Sequence, residues 1–252
     1  MPATLRLDQA LVAQGHCASR EQAQRLILAG EVKVGTRVAA KPSEKVAPDA
    51  AIELKEKPRF VGRGGLKLEA ALDAFAIDVT GFVALDVGAS TGGFTDCLLQ
   101  RGASRVHAFD VGTNQLAWKL RSDPRVRSRE NFNCRRLTPA DIGEPVELAV
   151  MDLSFISLLL VLPAVVPCVR LGGSIVCLIK PQFELSPTAI GKGGIVRDEA
   201  ARQQAVEKIH RWVDGRDDLA WAGLIPSPIT GTDGNVEFLA RVIQVGRDLQ
   251  GS

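Results

Sequence analysis

The chain has 252 residues, 46% of them hydrophobic, with a net charge of +2, which suits one large or two unequal domains with a buried core. No uninterrupted apolar run reaches the about 18 residues of a membrane span, and the longest, Ile156 to Val169, is broken by Pro163 and Pro167. The opening Met1-Pro2-Ala3-Thr4-Leu5-Arg6 lacks the apolar core of a secretory signal, and the five scattered cysteines form no Cys-x-x-Cys pair, so a cytoplasmic protein with free thiols and no metal site is expected.

Residues 1–67 carry 12 Lys and Arg against 7 Asp and Glu, the remainder 19 against 22, an asymmetry that hints at a nucleic-acid-binding arm. Leu7, Leu11 and Val12 recur at helical spacing, and Gly15 ends that helix. Ser19 takes an N-cap position with Gln22 three residues on, so a second helix runs from Arg20 to Leu28 and stops at Gly30. Ile27 and Leu28 face inward on it, while Arg20, Gln24 and the later Lys33 share a side. Val32 to Val38 alternates and turns as a hairpin, and Ala51 to Leu54 is a last short strand. The pattern Arg-Leu-Asp-x-x-Leu, then Ser-Arg-x-x-Ala-x-x-Leu-Ile-x-x-Gly-x-Val-x-Val, resembles the alpha-L RNA-binding domain of pseudouridine synthases and a small-subunit ribosomal protein. The resemblance implies a small α+β RNA-binding domain over residues 1–55. Its implied RNA contacts are Arg6, Ser19, Arg20, Gln24, Arg25 and Lys33, joined by Arg63 from beyond the linker. Such contacts read phosphates and shape, because duplex RNA hides its base edges in a deep major groove.

Lys55-Glu56-Lys57-Pro58-Arg59 is charged and proline-broken, which places a linker over 56–62 and a larger body over 63–252. The body opens on the glycines around Arg63 and enters a helix with the stripe Leu68, Leu72 and Phe75. Lys67 stands at its start, where the macrodipole disfavours a cation; it is either a solvated lysine or one held for its charge. Phe82 to Leu85 then reads as a buried strand ending in Asp86, a turn with Gly88, Ser90, Thr91, Gly92 and Gly93, and a helix from Phe94. Glycines there admit a ligand to the backbone, or serve packing alone. The spacing Gly-x-x-x-Gly-Gly differs from the dinucleotide fingerprint, and no Gly-Lys-Ser/Thr of a P-loop follows. The turn resembles the first motif of S-adenosylmethionine-dependent methyltransferases.

Arg105 to Phe109 forms the second strand and ends in Asp110, where doubly wound folds bind a ribose hydroxyl pair. His107 reads as a strand-surface residue, and Asn114 to Leu120 as a helix. Val126 to Phe132 forms the third strand, closing on Glu130 and Asn133, a position that lines the adenine pocket of methyltransferases. Val146 to Met151 is a buried strand with Asp152 on its tip. Leu158 to Val169 packs as a helix, and Ser174 to Ile179 is a fifth strand ending in Lys180. A glycine-rich loop, Gly191-Lys192-Gly193-Gly194, precedes an amphipathic helix from Asp198 to Val213. Ala220 to Ile225 and Val236 to Val242 pair as a terminal antiparallel hairpin, with Glu237 at its start.

Lys67, Asp152, Lys180 and Glu237 thus stand at element ends that converge on one crevice. Such a Lys-Asp-Lys-Glu tetrad is the signature of FtsJ-like ribose 2′-O-methyltransferases. With the basic domain in front, the chain closely resembles the TlyA family of ribosomal RNA methyltransferases, often labelled haemolysins. The segments Arg63 to Leu68, Asp86 to Asp96, Asp110 to Leu116, Asp152 to Ile156 and Lys180 to Glu184 carry the match.

The resemblance implies an α/β chain: a Rossmann-like class I methyltransferase behind the small RNA-binding domain. It implies S-adenosylmethionine held by Asp86, Gly88, Ser90, Thr91, Gly92, Gly93, Phe94, Asp110, Glu130, Asn133 and Asp152, with ribosomal RNA or ribosomal subunits as partner and no membrane. In the tetrad, Lys180 accepts or stabilises the departing hydroxyl proton, Asp152 orients it, and Lys67 and Glu237 position the ribose. Two lysines with two carboxylates form a near-neutral cluster that tolerates burial. The alternatives are a membrane-active cytolysin, for which no basic amphipathic helix is offered, and a non-catalytic RNA-binding factor, which loss of a tetrad member would have favoured. Base methylation calls for an Asn-Pro-Pro-Tyr-like motif or a catalytic cysteine pair, and the chain has no tyrosine.

Overall fold

The computed structural model describes residues 4–55, 58–186, 189–191, 193–231 and 233–246; Glu56 and Lys57 of the expected linker and Lys192 of the glycine-rich loop lie outside them. The chain divides into two compact units, Met1–Pro58 and Arg59–Ser252.

In the first unit, β1 (Leu5–Arg6) leads into α1 (Leu7–Ala13), α2 (Arg20–Leu28), β2 (Val32–Val34), β3 (Arg37–Val38), β4 (Lys45–Val46) and β5 (Ile52–Leu54). The cap sets the start of α2: Ser19 accepts from Gln22 N at 3.2 Å, and Gln22 Oε1 reaches back to Ala18 N at 3.1 Å. β2 lies between β3 and β5, and β1 pairs separately with β4. Leu7, Leu11, Ala23, Ile27 and Val32 build the core. Leu28, expected to face inward, is 71% exposed. Successive helical residues differ by about 100°, so Ala23 and Ile27 occupy the inward line and the neighbour of Ile27 turns to water.

The second unit is a seven-stranded sheet covered on both faces. Its elements are α3 (Gly64–Ala74), β6 (Val83–Val87), α4 (Gly93–Gln100), β7 (Arg105–Phe109), α5 (Trp118–Arg121), β8 (Val126–Arg129), α6 (Pro139–Ile142), β9 (Val146–Met151), α7 (Leu162–Val165), β10 (Val169–Ile179), α8 (Pro181–Glu184), α9 (Glu199–Asp214), β11 (Leu219–Pro226) and β12 (Phe238–Gln244). The strand order is β11-β12-β10-β9-β6-β7-β8. Strands β6 to β10 run parallel, and β12 lies antiparallel to both β10 and β11. This is the Rossmann-like arrangement that the resemblance implies. Alternate residues sort to the two faces. Leu85, Val87, Ala149, Met151, Ile175 and Cys177 pack towards α7 and α9, while Ala84, Leu148, Val150, Val176 and Leu178 pack towards α3 and α4. No helix among the described residues is long and apolar enough to cross a membrane.

Three further expectations are corrected. His107 is buried rather than on a strand surface, edge-on to Phe109 and 3.3 Å from Glu144, because a sheet covered on both faces has no wet side there. Asn114 to Leu120 is mostly a loop, with only Trp118–Arg121 helical, and Asn114 has a positive φ of 55°. Leu158 to Val169 is not one helix. Two 3₁₀ turns flank α7, with Pro163 and Pro167 each in the first turn of a new segment, as expected of a residue that cannot donate to a preceding turn.

Candidate active site

Topology brings the chemistry together. The sheet reverses its order at β6 and β9, and in open α/β sheets the crevice lies outside the carboxyl ends of strands at such a point. Asp152 follows β9 and Lys180 follows β10. Because β12 runs antiparallel to β10, with Phe238 opposite Ile179, the start of β12 lies at the same edge, and Glu237 with it. Lys67 comes from α3.

These residues form two ion pairs. Lys67 Nζ lies 2.5 Å from Glu237 Oε2, with both side chains buried. Lys180 Nζ lies 2.6 Å from Asp152 Oδ1 and 3.0 Å from Ser154 Oγ. The Lys180–Asp152 contact is close but poorly aligned, and Asp152 Oδ1 has no hydrogen bond. Gly231 makes room for Glu237, since a Cβ there would stand 2.5 Å from Glu237 Oε1.

Two adjoining cavities of about 480 Å³ each open at this edge, sharing Gly88, Ser90, Asp152, Ser154 and Phe155. One contains all four tetrad members, with Arg63, Thr91, Gly93 and Phe94 on its walls. The other is lined by Asp110, Gln115, Phe132, Asn133 and Leu153. Gly88, with φ of +85°, supports the shared wall: a Cβ there would sit 2.6 Å from the Asp152 carbonyl. Asp110 stands at the end of β7, its carboxylate accepting from Ser90 N at 2.7 Å and Gly112 N at 2.6 Å.

Three residues expected to hold the cofactor line neither cavity. Asp86 is fully buried beneath the turn, where Thr95 Oγ donates to its Oδ2 at 2.6 Å and its Oδ1 has no hydrogen bond. Burial pushes its carboxyl up to about 7, and Asp152 adds to the rise. Gly92 serves packing, since a Cβ there would lie 2.2 Å from Leu120. Glu130 ties the end of β8 to the loop after β7, accepting from Asn114 N, Gln115 N and Leu116 N. Those three bonds also explain why the segment is not helical, because its N–H groups are already satisfied without a helix. Ser154, Phe155, Gln182 and Phe183 line the tetrad cavity and were not singled out as site residues. All four lie in segments that carry the family resemblance, which was the available signal.

In the N-terminal unit, the expected RNA contacts divide. Arg6, Arg20 and Gln24 converge on the buried Asp8 at 3.0, 3.2 and 2.9 Å. Arg6, by hydrogen bonding, holds Asp8 well below the usual carboxylate range, with Gln24 and Arg20 adding to it. Both arginines keep part of their side chains in solvent. Ser19 is the α2 cap, while Arg25 and Lys33 are exposed.

Residues 60–242 match the family model for FtsJ-like methyltransferases, and residues 5–52 match that for the S4 domain. The 16S/23S rRNA (cytidine-2′-O)-methyltransferase TlyA of Mycobacterium tuberculosis is 47% identical over 92% of this chain and 87% of that protein. Hemolysin A of Brachyspira hyodysenteriae is 41% identical over 95% of this chain and all of that protein (100%). The solved structure of a hemolysin-named protein from Streptococcus thermophilus is similar over 99% of this chain and 92% of that chain, with a TM-score of 0.73 and 44% identity.

Proposed function

The chain belongs to the TlyA family, FtsJ-like methyltransferases that carry an S4 domain, and from that premise we propose that it methylates a ribose 2′-oxygen of ribosomal RNA with S-adenosylmethionine. The observation that carries this reading is the pair of Lys–carboxylate contacts, Lys67–Glu237 and Lys180–Asp152, on the wall of a crevice at the switch point of the sheet.

The residues present fit the cofactor. Among the described residues, the buried side-chain acceptors without a hydrogen bond are Asp86 Oδ1, Asp152 Oδ1 and Gln182 Oε1, all in or directly beneath the crevice. Buried polar atoms normally find partners, and a ligand bearing hydroxyl and ammonium groups offers donors to Asp152 and Gln182, which line the crevice, though not to Asp86, which lines neither cavity. Asp110, Ser90, Asn133 and the Gly88 turn would hold the nucleoside end, and Thr91, Phe94 and Asp152 the other. Bound there, S-adenosylmethionine supplies an electrophilic methyl group.

The chain's own residues do the rest. Lys180 Nζ is placed to hold the 2′-oxygen and to take up or stabilise its departing proton. Asp152 and Ser154 fix the direction of that ammonium group. Lys67 and Glu237, paired with each other, form a neutral wall that orients the ribose without leaving an isolated buried charge. Arg6, Arg20, Arg25 and Lys33 supply sequence-independent phosphate contacts, with Asp8 fixing the first two.

The test is methyl transfer from labelled S-adenosylmethionine to purified small and large ribosomal subunits, followed by alkaline hydrolysis. Label recovered in an alkali-resistant dinucleotide reports a blocked 2′-oxygen and supports the reading. Label in mononucleotides points to base methylation and sinks it.

A further inference from the structure

Glu184 is a buried carboxylate that the chemistry above does not use. It ends α8, a single helical turn whose N-cap is Lys180. Its Oε2 accepts from Ser157 Oγ at 2.5 Å, and its Oε1 accepts from Leu158 N at 2.7 Å. Lys208 of α9 donates to the Glu184 carbonyl at 2.5 Å and lies 3.6 Å from Oε2. The charge is therefore compensated and both carboxylate oxygens are used.

The turn 180–184 and the loop after β9 meet at two points. At one end Lys180 holds Asp152 and Ser154; at the other Glu184 holds Ser157 and Leu158. A single contact fixes a separation but leaves a hinge, whereas two fix an orientation. Between them sits Phe155, 91% exposed, with φ of +64° and its ring centroid 5.2 Å from that of Phe183. A non-glycine residue held at such a φ is strained and persists only where its surroundings over-determine it. This loop also borders both cavities. During transfer Lys180 must trade part of its contact with Asp152 for the substrate hydroxyl, and the second anchor then keeps the loop in place.

We infer that Glu184 is a positioning residue for methyl transfer, pinning the 152–158 loop so that Asp152 and Ser154 stay aimed at Lys180. The inference rests on the proposed role of Lys180. Its test compares Glu184→Ala and Glu184→Gln with Val213→Ala, a core lesion in α9 away from the crevice. The readouts are hydrogen exchange across residues 153–158, cofactor affinity by calorimetry, and turnover on ribosomal subunits.

Glu184→Ala is expected to raise exchange in that segment by about tenfold or more. It should lower kcat by about 100-fold, the usual scale for small misplacements, with KM for RNA within about threefold. Glu184→Gln restores both, because its amide accepts from Leu158 N and donates to Ser157 Oγ. Val213→Ala, although less stable, changes neither. If Glu184→Ala does not fold, Ser157→Ala removes one of the two anchoring bonds and should loosen the same segment and slow turnover more mildly. Unchanged exchange, unchanged kcat despite a loosened loop, or an equal effect from Val213→Ala overturns the inference. A wild-type protein that binds cofactor but does not methylate either subunit defeats the proposed function instead, and the exchange readout still decides whether Glu184 anchors the loop.

Discussion

Asp8 in the N-terminal unit and the crevice of the larger unit handle buried charge in opposite ways. In the N-terminal unit one carboxylate, Asp8, is saturated by Arg6, Arg20 and Gln24, and the arginine side chains remain partly in water. In the crevice of the larger unit, Lys67–Glu237 and Lys180–Asp152 are one-to-one pairs, Asp152 Oδ1 is close to Lys180 but poorly aligned with it, and Gln182 Oε1 on the wall has no hydrogen bond. A saturated hub fixes a shape. A crevice with spare buried acceptors holds polar capacity for a ligand, at a cost in stability that a purely structural site would avoid.

Glu237→Ala leaves the Lys67 ammonium buried and unpaired, and should destabilise the protein by about 3–5 kcal/mol in chemical denaturation. Replacing both partners, as Lys67→Met with Glu237→Leu, should recover most of that loss while methyl transfer stays absent. A cost under about 1 kcal/mol for the single change would mean that the pair is effectively solvated.

Asp8→Ala should cost less, about 1–3 kcal/mol, because the released arginines can return to water. Asp8 is held below its ordinary range, so its contribution is present above the unfolded value, about 3.9, and is lost as pH falls through the folded one. The Asp8→Asn protein should therefore lose less stability than wild type on acidification below about pH 4. Parallel acid melting curves would show that the hub is not ionised in the way its partners imply.

Asp86 carries the opposite sign. Its carboxyl is pushed up to about 7 by burial, so its stabilising difference is full below the ordinary carboxylate value and is lost as pH rises towards 7. Asp86→Asn keeps the acceptor for Thr95 and should raise Tm by about 2–4 °C per kcal/mol gained, more at pH 8 than at pH 5. An equal effect at both values would place the raised affinity elsewhere.

The smallest effect belongs to Lys33, exposed in β2. Lys33→Ala should leave stability within about 0.5 kcal/mol while reducing the salt dependence of RNA binding by about 0.7–0.9 in slope. An unchanged slope would remove Lys33 from the RNA-facing set.

Much of this was legible in the sequence because local signals agreed with the final packing. The Ser19 cap fixed α2 at Arg20–Leu28, and apolar runs marked β7 and β9 with the bounds later observed. The four tetrad positions were readable because each sits at an element end that the topology brings to one edge. What local sequence does not show depends on distant partners. No local pattern shows that the Glu130 carboxylate takes up three N–H groups about 15 residues away in sequence. That bonding also replaced the helix expected at Asn114 to Leu120. The glycine spacing likewise does not show that a Cβ at Gly92 would meet Leu116 and Leu120. Alternation alone does not say whether one or both faces of a sheet are covered, so the burial of His107 is visible only in three dimensions. Glu184 lay within a segment that carried the family resemblance, but its partners Ser157 and Leu158 are visible only in three dimensions.

The most direct measurement is single-turnover methyl transfer by Lys180→Ala, with cofactor affinity measured on the same protein by calorimetry. With Lys180 as the group that handles the hydroxyl proton, transfer should fall by about 10²–10⁴-fold, with cofactor affinity close to wild type and the fold intact. A folded Lys180→Ala protein that transfers methyl at the wild-type rate would contradict the account, reducing the Lys180–Asp152 pair to a structural contact.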